Sequence, residues 1–183
     1  DWVNECEENW DDVTLLNALD MATGNFNNSN YMQDENANHA NIFFLGTAHE
    51  TKINYACNYF DRQADPGTTW VYHTSDSYIL GSAMRAILSS SVGASADLME
   101  HLSDVIYDPI GLSPIFKTTR RTYDDVRQPF TGWGLTLQPD DIVKLSKFIL
   151  NDNGMVSGQR TLQPDLLNAA LQRDNADTGL SVA

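Results

Sequence analysis

The sequence predicts a mainly α-helical fold. Apolar residues recur at three- and four-residue spacing through most of the chain, helix-starting and helix-stopping residues bracket those stretches, and strand-like runs are few and short. Trp10 to Gly24 reads as a short helix. Thr14 suits its N-cap, Leu15, Leu16, Leu19 and Met21 supply an apolar stripe, and Gly24 suits the left-handed position at its end. From Asn25 to Ala40 the chain is polar and Asn-rich with no regular period, and reads as a long exposed loop. Within it Asp34, Glu35, Asn36 and Asn38 lack the ligand spacing of a calcium loop and read as solvated. Asn27-Asn28-Ser29 has the form of a glycosylation acceptor, which matters only in a secreted eukaryotic protein.

A second helix is predicted over Ala48 to Asp61, where Ile53, Ala56, Cys57 and Phe60 fall on one face. Asp65-Pro66-Gly67 then forces a turn. The next helix runs from about Asp76 to Ser90 with Ile79, Leu80, Ala83, Ile87 and Leu88 inside, and Gly93 breaks it. Another spans about Ser95 to Ile106 through Leu98, Leu102 and Val105, and Asp108-Pro109-Ile110-Gly111-Leu112 stops it. Lys117 to Phe130 is charged and irregular, and Gly132 to Leu137 reads as a short strand or extended turn. Pro139 and Asp140 open a helix carrying Ile142, Leu145, Phe148 and Ile149, which Asn153-Gly154 ends. A last helix covers about Pro164 to Gln172, followed by a polar tail that includes Asp177-Thr178-Gly179. No repeat or internal boundary stands out, so 1–183 reads as a single helical domain.

Composition narrows the function. A hydrophobic share of 42% in 183 residues suffices for a packed core. Eleven basic against 25 acidic residues give a formal charge of −14, which argues against nucleic acid or an anionic membrane surface as partner. No apolar run approaches the roughly 20 residues needed to span a bilayer. Cys6 and Cys57 permit either a disulfide or, for Cys57 on an apolar helix face, a buried thiol. His39, His49, His73 and His101 show no pair at metal-ligand spacing, so no metal site is expected. No glycine-rich phosphate loop follows a strand.

The stretch from Pro66 to Gly81 carries the chemistry. A Pro-Gly turn leads through the β-prone Trp70-Val71-Tyr72 into a helix, with Thr74 and Ser75 at its mouth. A phenol there can take and return a proton, and the hydroxyls can hold a polar substrate. The bland alternatives are a packed structural tyrosine and helix-capping hydroxyls. Trp133 fits either a cleft wall or the core.

The order of these pieces resembles the serine β-lactamase and penicillin-binding-protein superfamily, in its class C-related branch of esterases, D-aminopeptidases and 6-aminohexanoate-oligomer hydrolases. Val13 to Gly24 is similar to that family's Leu-rich helix ending in Gly, and Pro66-Gly67 through Tyr72 to Leu80-Gly81 is similar to its tyrosine segment. Tyr107-Asp108-Pro109-Ile110-Gly111-Leu112 resembles its Pro-Leu-Gly-Met element, and Gly132-Trp133-Gly134-Leu135 with Pro139 to Lys144 resembles the following segment. The resemblance implies acyl transfer through a Ser-x-x-Lys serine, assisted by the tyrosine, with no cofactor and a small-molecule amide or ester as substrate. Tyr72 takes the place of the catalytic tyrosine, and Thr74 stands where the family has Asn; Tyr-x-Ser followed by Asp and Leu-Gly, the oligomer-hydrolase form, suits Tyr72, Thr74, Asp76, Leu80 and Gly81 better.

No Ser here has a Lys three residues on; Ser82 and Ser157 have Arg85 and Arg160 instead. The expectation is therefore the helical lobe of an α+β fold, the middle portion of a longer enzyme with most of the sheet and the nucleophile outside it. Tyr72 would relay protons, with Thr74, Ser75 and Trp133 contacting substrate. Family resemblance also implies a periplasmic or secreted location. The alternative is a non-catalytic helical binding domain or inactive relative, and oligomeric state stays open.

Overall fold

A computed structural model describes residues 6, 8–30, 34–35, 40–174, 176 and 181–182. The fold is mainly helical, as expected. In chain order the elements are α1 (Leu15–Leu19), α2 (His49–Asn58), β1 (Thr69–Trp70), α3 (Thr74–Val92), α4 (Leu98–Leu102), α5 (Pro139–Leu150), β2 (Met155–Val156), β3 (Gln159–Arg160), α6 (Pro164–Ala170) and β4 (Ser181–Val182). Single π-helical turns cover Ala40–Phe44 and Ser103–Tyr107, and 3-10 turns cover Glu8–Trp10 and Pro114–Thr118. His39, Asn36, Asn38 and Asp177-Thr178-Gly179 lie outside the described residues.

The chain divides into two compact units. The first holds α1, α2, α3, the segment Arg120–Gly134 and the parallel pair β1–β4, in which Thr69 faces Ser181 and Trp70 faces Val182. Its core is built on the predicted face of α2. Ile53, Ala56, Cys57 and Phe60 are all buried and pack with Phe43, Tyr78, Ile79 and Phe130. Each large apolar side chain withdrawn from water here contributes about 1.5–3 kcal/mol.

Thr14 caps α1 through a reciprocal box with Asn17, as its position predicts. The helix is nevertheless shorter than expected. Met21, at φ 51°, takes the left-handed position assigned to Gly24, and the helix closes at Asp20. Gly24 serves another purpose: a Cβ there would meet the Ala64 carbonyl oxygen at 2.1 Å. That approach lets residues 22–26 run beside 61–67, with Gln63 N–H donating to the Gly24 carbonyl at 2.8 Å and Phe26 N–H to that of Asp61 at 2.9 Å. Leu15, Leu16 and Leu19 are exposed rather than buried, leaving an apolar face on α1.

The second unit runs over Ser95–Thr119 and from Leu135 through α6. Asp97 caps α4 by accepting from Met99 N–H and Glu100 N–H. Met99, Leu112 and Phe116 form its core, joined by Leu102, Tyr107, Ile110, Leu137 and Leu145. Asp141 is fully buried and accepts from Ser113 N–H at 2.8 Å, the Ser113 hydroxyl and Gln138 N–H at 3.0 Å, which closes the start of α5. Of the two expectations for Gly132 to Leu137, a short strand or an extended turn, the strand does not form: the segment is bends and coil. An unanticipated hairpin, β2–β3, turns at Ser157-Gly158 with φ 49° and 80°, the paired positive angles of a two-residue hairpin turn.

Cys6 and Cys57 are bridged, so the disulfide reading holds and the buried free thiol does not, although Cys57 is buried. The bridge closes a separation of 51 residues. Chain-entropy considerations put its worth at about 2–4 kcal/mol. Reduction by dithiothreitol, or Cys6→Ser, should lower the urea midpoint by the corresponding amount. An unchanged midpoint would show that the bridge carries none of the stability.

Candidate functional site

Tyr72 stands between β1 and α3, where the backbone is still extended. Val71 N–H donates to the Met21 carbonyl at 3.1 Å, and His73 has φ −136° and ψ 121°. Successive side chains on extended backbone point to opposite faces. Val71 is 4% exposed and His73 1%, so both point inward and Tyr72 points out. Its ring is half-buried beside Trp70, with centroids 6.5 Å apart, and lies outside the hydrophobic core.

The inward residues enter a network of buried polar groups. His73 Nε2 is hydrogen-bonded to the Asp34 carboxylate, its Nδ1 lies 4.0 Å from Asp76 Oδ1, and its ring stacks on Phe60 at 4.3 Å. Asp34 also accepts from Asn27 N–H at 3.0 Å and Asn28 N–H at 2.9 Å. Glu35 accepts from Thr74 N–H at 2.6 Å and from the Thr74 hydroxyl at 2.9 Å. The Thr23 hydroxyl donates to Asp76 at 3.3 Å. Two consecutive acids, Asp34 and Glu35, thus grip two consecutive residues, His73 and Thr74.

Burial disfavours charge on the His73 ring, yet the Asp34 hydrogen bond and the Asp76, Asp34 and Glu35 carboxylates outweigh it and hold the imidazole above its ordinary value. Burial also pushes the Asp76 carboxyl up to about 7, against the pull of His73 and the Thr23 hydrogen bond. The residue after Tyr72 in the chain thus enters a cluster in which one carboxyl is raised toward neutrality by burial and the imidazole is held toward its charged form by its neighbours.

The predicted site residues come together in part. Thr74 is 4% exposed and Ser75 1%, and both lie inside the first turn of α3 rather than capping it. The cap is supplied from a distance by Glu35. Ser75 Oγ has no hydrogen-bond partner among the described residues and lines a crevice with Glu35, Phe43, Phe44, Tyr55 and Phe60 that is too narrow for water. Trp133 is half-buried against Phe44 and Phe130. It is brought near the site because Gly132 packs on Thr74: a Cβ on that glycine would meet the Thr74 carbonyl oxygen and methyl at 2.6 Å.

Asp34 overturns the expectation of a solvated loop, since it is 1% exposed. Asn25, at 1%, likewise breaks the expected exposed run, its side chain bonded to the Asn9 carbonyl and to Arg62. Sequence reasoning also passed over a second buried polar cluster. Lys52 is 1% exposed, donates to the Phe43 carbonyl and sits over the Phe130 ring at 4.1 Å. Burial, with help from the Arg120 charge, pushes its ammonium down to about 8. Nearby, Tyr78 O–H and His49 Nδ1 share a hydrogen bond of 2.8 Å, and burial holds the Tyr78 phenol above and the His49 ring below their ordinary values. Their signal was only a charged or polar residue on an apolar helix face.

A carboxyl raised by burial stabilises the fold while protonated. The Asp76 contribution is complete below the ordinary carboxylate range near 4 and is lost as pH rises through about 7. Asp76→Asn should therefore gain on the wild type by on the order of 2 kcal/mol between pH 5 and pH 8, measured as the difference in urea unfolding free energy. Taking the difference removes His49, whose lowered value acts in the opposite direction. A gap that stays constant with pH would refute the assignment.

No family model matches the chain, and no curated protein does.

Proposed function

We propose that this chain is part of a serine hydrolase that cleaves an amide or ester bond through an acyl-enzyme, with Tyr72 as its proton relay. The observation that carries this is the in–out–in order of Val71, Tyr72 and His73, which leaves a phenol outside the core and anchored from behind by a hydrogen-bonded His. A general acid-base group must be reachable by substrate and held in place, and the half-buried ring of Tyr72 with the anchored backbone of His73 behind it supports both. The sequence resemblance to β-lactamase-related enzymes supports the same role, as does the placement of Trp133 near Thr74 through Gly132. The serine and its lysine come from residues outside 1–183, since no Ser here has a Lys three positions on. Substrate contact with the Thr74 hydroxyl requires exchange with Glu35, which holds it at 2.9 Å.

That engagement of Thr74, with the burial of Ser75, is what favours the rival, a non-catalytic relative of the same fold. Tyr72→Phe separates the two. In the protein that carries the Ser-x-x-Lys motif, the substitution should slow p-nitrophenyl ester turnover about 100-fold or more, the size of effect expected for a lost acid-base group. Unchanged turnover would remove Tyr72 from the chemistry, and a parent protein with no turnover at all would leave only the non-catalytic role. Residues 1–183 alone should form no covalent adduct with a fluorophosphonate, read by intact mass; a stoichiometric adduct would place the nucleophile within the chain.

A further inference from the structure

We infer that Asp34 and His73 form the positioning pair of the Tyr72 site, a role that rests on the hydrolase reading. The geometry is specific. His73 is the residue directly after Tyr72 on extended backbone, so wherever the imidazole is fixed, the phenol is directed to the opposite face. The imidazole is fixed on every side. Asp34 holds Nε2, Asp76 faces Nδ1 at 4.0 Å, and Phe60 covers the ring at 4.3 Å. Asp34 is itself fastened to Asn27 N–H and Asn28 N–H, so the anchor is backbone rather than a free side chain. Its neighbour Glu35 fixes the following residue, Thr74, through two hydrogen bonds. Tyr72 is thus held between Val71, tied to Met21, and the clamped pair His73-Thr74.

Among the described residues, the charged groups facing His73 are Asp34 and Glu35 from the upstream segment and Asp76 from α3. The α2 side presents Phe60, which is neutral. With the imidazole protonated, its bond to Asp34 is charge-assisted and at its strongest. As pH rises and the ring loses its proton, the bond weakens and the hold on Tyr72 loosens. Tyr72 should therefore sense the titration of a ring on the other side of its own backbone.

The test is a pH titration of the isotopically labelled 183-residue chain by NMR, with Tyr72 ring signals assigned by their loss in Tyr72→Phe. The expected result is that the His73 imidazole and the Tyr72 ring move with one shared midpoint, above the ordinary histidine value of about 6.5. In Asp34→Asn, which keeps shape but removes the charge, that midpoint should fall by about one unit or more for both rings together. Tyr72 signals that stay fixed while His73 titrates would overturn the inference, as would an unchanged midpoint in Asp34→Asn. Should that variant fail to fold, the wild-type titration decides alone. Turnover by Tyr72→Phe fails independently: a fully active variant would end the proton-relay role of Tyr72 while leaving the coupling of the two rings measurable.

Discussion

The first unit depends on burying a histidine among carboxylates without leaving any of them unpaired. Desolvating a charge costs several kcal/mol, and only close partners of the opposite sign or good hydrogen-bond donors offset it. His73 supplies the positive charge and Asp34 the negative, Asp76 lies beside them with its carboxyl pushed toward the neutral form, and Asn27 N–H, Asn28 N–H and the Thr23 hydroxyl donate to the carboxyl oxygens. These contacts join four stretches of chain remote in sequence: residues 23–28, 34–35, the end of the α2 region at Phe60, and the mouth of α3. Loss of one partner would leave the others buried and uncompensated, so the cluster acts as one unit rather than as separate bonds.

Lys52 meets the same constraint in another way. Its ammonium has no carboxylate against it among the contacts described, and takes a carbonyl and the faces of Phe43 and Phe130 instead. Aromatic faces attract a cation but offset less of the desolvation than an anion does, and so the group is pushed toward neutrality while His73 is pushed toward charge. The contrast shows that burial alone does not set the sign of a shift. The identity of the neighbours does.

Much of the architecture was legible because it is local. The α2 face of Ile53, Ala56 and Cys57, with Phe60 just past the helix end, the Thr14 cap and the Gly93 stop each follow from residues within one or two turns of one another. Met21 escaped because a non-glycine residue in the left-handed region has no compositional mark, and the β2–β3 hairpin escaped because strands of two residues have no alternation to read. The two-unit division was hidden for a similar reason: each unit is assembled from separated stretches, so no single shift in composition marks a boundary. At the candidate site, Tyr72 was singled out through its turn and helix context, whereas Asp34 and Glu35 were not. Their partners lie 39 residues downstream, and an acid in an Asn-rich stretch looks solvated until the chain folds back on it.

The Glu35–Thr74 contact bears directly on how such a site could work. A helix of 19 residues begins at Thr74, and its free N–H groups with the helix dipole favour an anion at that end. The helix takes none from its own N-cap side chain and receives a carboxylate from Glu35 instead. A cap borrowed from a distant segment fixes that segment as firmly as it fixes the helix. The same bond that orders the start of α3 therefore also holds the residues carrying Asp34 against His73. Replacing Thr74 by Asn would keep its backbone N–H for Glu35 but exchange a hydroxyl for a carboxamide. The threonine thus fits a site in which the acid at position 35, rather than the side chain at position 74, completes the polar wall.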